Sequence, residues 1–308
     1  MHALAAVASN PYAALALAAL FWSGNFIAGR ALADEIGPVT LNFWRWTLAL
    51  AVLLPVSWRT LVECRDALRM NWVRIAALGL TGVAGFHTCV YFALAATTAV
   101  NALLLLSLTP VFIVLATWLA HREPPSRREA AGIVLSLAGA AVLVTHGNIG
   151  ALQAMQVDRG ALWMLAALAV FAAYSLLLKH RAPSVSPLAL HTASTIAGLA
   201  WMAPVYALAL AAGETTALTW SGALGIGYIA VFASAVAFFL WIRAVGQIGP
   251  SRAGTFIHLM PVFGSILAAV VLGERIAPFH VAGAALVFAG LVVANRRKAF
   301  FVDRPGAA

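Results

Sequence analysis

Arg45 sits between Trp44 and Trp46, and it is the one basic side chain standing clearly inside a long apolar run of this sequence. A guanidinium so placed has two readings. It can meet the carboxylate of a bound molecule, or it can act structurally, snorkelling or capping carbonyls near an interface with tryptophans beside it. The other polar residues in apolar surroundings are neutral hydrogen bonders and aromatics: Trp22, Asn25, His87, Tyr91, Asn101, Ser107, Thr109, Trp163, Tyr174, His191, Ser234, Thr255 and His258. His87 and Tyr91 are four apart, which puts them on one helix face. Asn101, Ser107 and Thr109 occupy the turns ahead of Pro110. As a set, these residues suit a neutral or zwitterionic, partly apolar ligand held by aromatic walls. Taken singly, each serves equally well as a hydrogen bond between helices.

Catalysis and metal binding lack their parts. His87, His191 and His258 are scattered, whereas a metal site needs clustered ligands. Cys64 and Cys89 offer neither a disulfide framework nor a metal pair. All ten acidic residues fall in breaks between apolar runs, at their ends or in the tail, so a carboxylate-based proton/cation exchange site is disfavoured. Lys179 closes a run beside His180 and Arg181, as a basic anchor does; phosphate-bearing substrates would want several cations, and the runs do not supply them. The sequence therefore predicts no enzyme, no metal and no cofactor.

The elements that must position these residues follow from composition. Hydrophobic residues make up 63% of 308 and charged residues 9%, with a mean hydropathy of +0.94. Soluble domains carry about 25% charged residues, so lipid is the solvent this composition fits. The net charge of +9 is spread over short breaks without a single patch, which argues against nucleic acid. Apolar runs long enough to span a bilayer lie at 11–32, 38–57, 72–95, 98–120, 127–145, 160–179, 187–211, 220–242, 250–272 and 277–295.

The chain also repeats itself. At an offset of 151, Leu108, Pro110, Val111 and Phe112 fall on Leu259, Pro261, Val262 and Phe263, and Glu123 falls on Glu274. Gly132 and Gly139 fall on Gly283 and Gly290, in the last run of each half, where close helix packing is expected. Pro38 and Pro55 recur as Pro187 and Pro204 at an offset of 149. A duplication of this kind sets the fold before any local detail does. Pro110 and Pro261 lie near the middle of equivalent runs and are candidate hinges or gating kinks.

Basic residues orient the spans. With the N-terminus in the cytoplasm, fifteen Lys and Arg residues fall on the cytoplasmic side; Arg30, Arg159 and Arg275 fall outside. The reading is an all-α integral membrane protein whose ten transmembrane helices form two inverted five-helix repeats, since five spans per half is odd. Residues 1–146 form the first repeat, 147–158 an outer linking loop, 159–296 the second repeat, and 297–308 a basic cytoplasmic tail. A cleaved leader is not expected, and both termini face the cytoplasm of a cell (inner) membrane. Inverted repeats recur in transporters, with substrate near the midplane and alternating access by rocking.

The Trp22-Ser23-Gly24-Asn25-Phe26 opening, Phe43-Trp44-Arg45-Trp46, the Leu-Thr-Pro-Val-Phe stretch at 108–112 and the Pro-Val-Phe…Gly-Glu-Arg run at 261–275 carry a resemblance. They resemble the drug/metabolite transporter superfamily, its EamA-type exporters, and among those the inner-membrane amino-acid exporters of the YddG type. His121-Arg122-Glu123-Pro124 departs from the usual Gly-Glu pair while keeping Glu123. The resemblance implies metabolite efflux through a central cavity built from spans one, three, four, six, eight and nine. The expected activity is export of neutral or aromatic amino acids. Export of sugars, nucleosides or cationic drugs is the alternative, and a membrane enzyme or non-transporting scaffold the remote one. The expected partners are a small-molecule substrate and the lipid bilayer.

Overall fold

The computed structural model describes residues 9–33, 35–96, 102, 105–122, 124–145, 147–148, 150, 159–179, 184–214, 219–272 and 277–295. Its helices in chain order are α1 (Pro11–Leu32), α2 (Pro38–Glu63), α3 (Arg65–Met70), α4 (Trp72–Leu78), α5 (Phe86–Ala96), α6 (Thr109–His121), α7 (Arg127–Val144) and α8 (Arg159–Lys179). They continue with α9 (Pro187–Ala211), α10 (Trp220–Tyr228), α11 (Ala237–Ile248), α12 (Pro250–Gly254), α13 (Leu259–Leu272) and α14 (Pro278–Asn295). Two π-helical stretches join neighbouring helices into single rods: Gly79–Gly85 links α4 to α5, and Ile229–Val236 links α10 to α11.

Prolines and small polar side chains set the helix starts. Asn10 accepts the backbone N–H of Tyr12 at 3.0 Å behind Pro11. Ser186 accepts from Ala189 at 3.1 Å behind Pro187, and Thr219 from Gly222 at 3.0 Å. Ser126 and Glu129 form a reciprocal capping box at the start of α7. Helix α2 has no cap of its own. Instead Glu214, beyond the end of α9, accepts the N–H groups of Val39 (2.9 Å) and Thr40 (3.2 Å), placing a carboxylate at the positive end of the helix.

Among the described residues, six segments are long and apolar enough to cross a bilayer: Pro11–Gly29, Pro38–Glu63, Trp72–Ala96, Arg159–Lys179, Pro187–Ala211 and Trp220–Ile248. Large apolar side chains also face outward, among them Leu119, Val134, Leu162, Leu208 and Phe288. Two of the predicted runs are not single helices. Within 98–120, α6 begins at Thr109 after a turn at Ser107 and Leu108. Within 250–272, α12 gives way to a 3₁₀ turn at Thr255–His258 and then to α13. Pro110 and Pro261 therefore do not bend the middle of helices as expected. Each lies in the first turn after a break, where few intrahelical N–H bonds exist to be lost.

Several features recur at the repeat offset. The two π stretches begin 150 positions apart, and Pro55 and Pro204 lie inside α2 and α9. The expected glycine contact joins α7 to α14. A Cβ on Gly139 would stand 2.6 Å from the Gly283 carbonyl oxygen, and one on Gly290 2.6 Å from that of Gly132, so only glycine allows these backbones to approach.

Candidate functional site

The interior between α1, α2, α5, α8 and α11 is aromatic. Trp22 meets Phe238 (5.4 Å between ring centroids), Trp241 (5.5 Å) and the edge of Phe171 (6.1 Å). Phe238 also contacts Trp46 at 5.1 Å and His87 at 5.5 Å, and stacks on His191 at 6.1 Å. Edge-to-face and tilted pairs of this kind lock ring positions beyond what area burial does.

Arg45 is fully buried beside this cluster, with 0% exposure. Its Nε donates to Ser234 Oγ at 2.8 Å, and its Nη1 reaches Tyr91 Oη at 2.7 Å and Asn25 Oδ1 at 3.3 Å. The Tyr91 hydroxyl in turn donates to Asn25 Oδ1 at 3.1 Å, closing a triangle. The guanidinium also lies 5.3 Å from the Trp46 ring and 5.8 Å from that of Tyr91. The snorkelling reading of Arg45 does not hold, because the side chain ends in the core. Of its neighbours, Trp44 turns outward and donates to Tyr206 Oη at 3.1 Å, while Trp46 is buried.

The π stretches supply carbonyls that neighbouring helices satisfy. Asn42 Nδ2 reaches the Val83 and Ala84 carbonyls at 3.2 and 3.3 Å. Trp22 Nε1 donates to the Ala233 carbonyl at 3.0 Å, and His191 Nε2 meets the Ser234 carbonyl at 3.1 Å. A carbonyl only accepts, so the proton of His191 resides on Nε2. A π turn frees backbone groups from the α ladder, and inside a bilayer other helices must satisfy them. Ser234 Oγ donates to Ile229 O five residues back at 2.9 Å, which keeps its lone pairs towards Arg45.

Two narrow voids flank the Arg45–Asn25–Tyr91 triangle. The larger, about 20 Å³, is lined by Trp22, Asn25, Phe26, Phe86, His87, Val90, Thr109 and Phe171 among others. The smaller, about 10 Å³, is lined by Gly29, Pro38, Leu41, Tyr91 and Leu94. Each is of the order of one water molecule, so the helices are closed around the site. A groove of about 300 Å³ lies elsewhere, between Leu143, Val262, Ile266, His280, Val281, Ala284 and Phe288. Its walls are largely apolar, and Ile266, Val281 and Phe288 among them are exposed, as on a lipid-facing surface.

Of the residues singled out in the sequence, Trp22, Asn25, His87 and Thr109 line the larger void, Tyr91 the smaller, and Ser234 holds Arg45. Tyr174 is buried behind them, its ring over the backbone of Gly82 and beside Phe238. Thr255 turns its hydroxyl to the Arg252 carbonyl at 2.8 Å. His258 is pinned by both ring nitrogens, to Ser107 O at 2.7 Å and Ser136 Oγ at 2.6 Å, and serves the packing of its helix. Trp163 is not brought to the voids: it is 41% exposed and stacks on Phe92 at 5.0 Å. Asn101 lies outside the described residues, as do Glu123, Glu274 and the segment 297–308. Phe26, Phe86, Val90, Leu106, Phe171, Ile257 and Met260 were not singled out, yet they complete the larger void. The 149 offset carries one signal for them, since it pairs Phe171 with Trp22.

The model of the EamA-like transporter family matches residues 10–145 and 158–296. An uncharacterized transporter of Bacillus subtilis, YyaM, is 25% identical over 292 residues, covering 93% of each chain. A probable terminal-alkyne amino-acid exporter of Streptantibioticus cattleyicolor is 28% identical over 284 residues, covering 92% of this chain and 93% of its own. A crystal structure superimposes with a TM-score of 0.73 over 91% of this chain and 95% of its own, at 21% identity, which speaks to the fold alone.

Proposed function

From the premise that this chain belongs to the EamA-like transporter family, we infer that it exports neutral amino acids with apolar or aromatic side chains across a cell (inner) membrane. The observation that carries this reading is the larger void, where Trp22, Phe86 and Phe171 supply aromatic walls and Asn25, His87 and Thr109 supply neutral polar groups. An apolar side chain fits such walls, and a zwitterionic head needs hydrogen bonds more than a matched array of charges. The named relative supports the same class, being a probable exporter of an amino acid.

The mechanism we infer is alternating access between two inverted five-span repeats, ten spans in all, with both termini in the cytoplasm. The recurrence of π stretches, prolines and paired glycines at offsets of 149 to 151 supports the duplication. The voids hold about one water each, so loading a substrate requires the halves to rock apart. Counterflow in proteoliposomes tests the reading. Vesicles are preloaded with one unlabelled amino acid and uptake of the labelled form is followed across a panel. Accumulation of phenylalanine, methionine, leucine or threonine but not lysine or glutamate is expected. Movement of nucleosides, sugars or drugs with no amino acid moving would overturn the substrate class and leave the family standing.

A further inference from the structure

Arg45 carries a charge that its surroundings do not balance. No carboxylate among the described residues pairs with it; its hydrogen-bond partners are a serine, a tyrosine and an asparagine, and the rings of Trp46 and Tyr91 are its other contacts. Its Nη2 is buried and has no hydrogen-bond partner among the described residues. A guanidinium does not shed its proton to escape such a site, and a buried cation left unpaired is strongly unfavourable. A chain that needed only a strut between α1, α2 and α5 could obtain one from an amide.

Its position is equally specific. Along α1, Trp22, Asn25 and Phe26 line the larger void, and Gly29, with Ala33 just past the helix end, the smaller one. Along α5, Phe86, His87 and Val90 line the larger, and Tyr91, Leu94 and Ala95 the smaller. The two voids are therefore stacked along the helices, with the smaller towards Pro38. Asn25 and Tyr91, which share Nη1 of Arg45, stand one at each void. The triangle is the partition between them.

We propose that Arg45 is the recognition point for the carboxylate of the transported molecule, and that the carboxylate crosses the partition by replacing Asn25 and Tyr91 on the guanidinium. Nη1 and the unpaired Nη2 together present the two-pronged edge that a carboxylate meets with two parallel hydrogen bonds. Arriving substrate supplies the missing negative charge and breaks the triangle; departing substrate lets Asn25 and Tyr91 close again. This rests on the amino-acid reading above and narrows it: substrates share a carboxylate, and the amino group is secondary.

The test uses purified full-length protein and two readouts. In thermal-shift binding, 3-phenylpropionate (carboxylate without amine) stabilises the wild type, and phenethylamine (amine without carboxylate) does not. In competition against labelled phenylalanine, phenylalanine amide is weaker than the acid by about tenfold or more, one lost charge-assisted pair. Arg45→Gln abolishes the preference for acid over amide, while Arg45→Lys keeps the preference with weaker binding, because a point charge replaces the fork. If Arg45→Gln retains the acid preference, or if wild type binds phenethylamine as well as 3-phenylpropionate, the proposal is wrong. Should Arg45→Gln not fold, the wild-type pair and Arg45→Lys decide it. If no amino acid is transported while 3-phenylpropionate still binds selectively, the amino-acid reading fails and the carboxylate site stands.

Discussion

Ser107 and His258 are counterparts under the 151-residue offset, and they touch. His258 Nε2 lies 2.7 Å from the carbonyl oxygen of Ser107. Under the inverted-repeat reading proposed above, counterparts meet only near the axis that relates the halves, and this bond would lie on that axis at the level of the two broken spans. The α7–α14 glycine contact, in which Gly139 meets Gly283 and Gly132 meets Gly290, belongs to the same relation.

His258→Ala removes both ring contacts and leaves the Ser107 carbonyl and the Ser136 hydroxyl to find other partners. The expected cost is about 1–3 kcal/mol of stability. Thermal unfolding in detergent should show the loss, while the order of preference among transported amino acids stays as in the wild type. A changed preference would place His258 at the substrate instead.

Gly139→Ala should separate α7 from α14, because the added methyl meets backbone atoms: Gly283 O at 2.6 Å and Val287 N at 2.7 Å. Overpacking against backbone costs about 1–3 kcal/mol. Gly227→Ala is the control. Its Cβ meets nothing within 4 Å, so the change should be neutral or stabilise by up to ~1 kcal/mol through helix propensity. Comparing the two melting temperatures checks the pair.

Trp22→Ala and Trp163→Ala should differ sharply. Trp22 is buried against three aromatic rings and lines the larger void. Its loss should reduce counterflow of phenylalanine by at least about tenfold, the equivalent of 1.4 kcal/mol. Trp163 faces outward, and its loss should keep the rate within about twofold, as for exposed sites generally. Equal losses from both variants would contradict the placement of the site.

Glu214→Ala deprives the start of α2 of its carboxylate, exposing the N–H groups of Val39 and Thr40. A lost cap of this kind costs about 0.5–2 kcal/mol. Hydrogen exchange at Val39 and Thr40 should quicken, with little change at the capping box of Ser126 and Glu129, which is internal to α7.

Helix starts and the last packed pair were legible in the sequence because they rest on local chemistry. Pro38 and Pro187 open α2 and α9, and the glycines of α7 and α14 meet as their spacing suggested. Asn25, His87, Tyr91 and Thr109 were legible at the voids because a polar group inside an apolar run stands out. The π stretches were not legible. The glycines at 79, 82 and 85 are equally at home in an α turn, and nothing in Ile229–Val236 distinguishes a π from an α turn. The outward setting of Trp163 was not legible, because an aromatic residue in a span looks the same whichever way it faces. The full burial of Arg45 was hidden by Trp44 and Trp46, which read as an interfacial belt although only Trp44 faces outward.

The π stretches bear on how the site walls are aimed. Each winds its backbone more widely than an α-helix, so the residues beyond it come back in a different phase. One residue is worth about 100° of rotation at 3.6 residues per turn. If Gly79–Gly85 were rewound as plain α-helix with every residue kept, α5 would turn by about that angle, carrying His87 and Tyr91 off the face they share with Asn25 and Arg45; removing one position at the same time would bring the phase back. The same rewinding of Ile229–Val236 would turn Phe238 and Trp241 away from Trp22. The angular setting of both walls is thus stored in the winding of two short segments that touch few of the residues they aim.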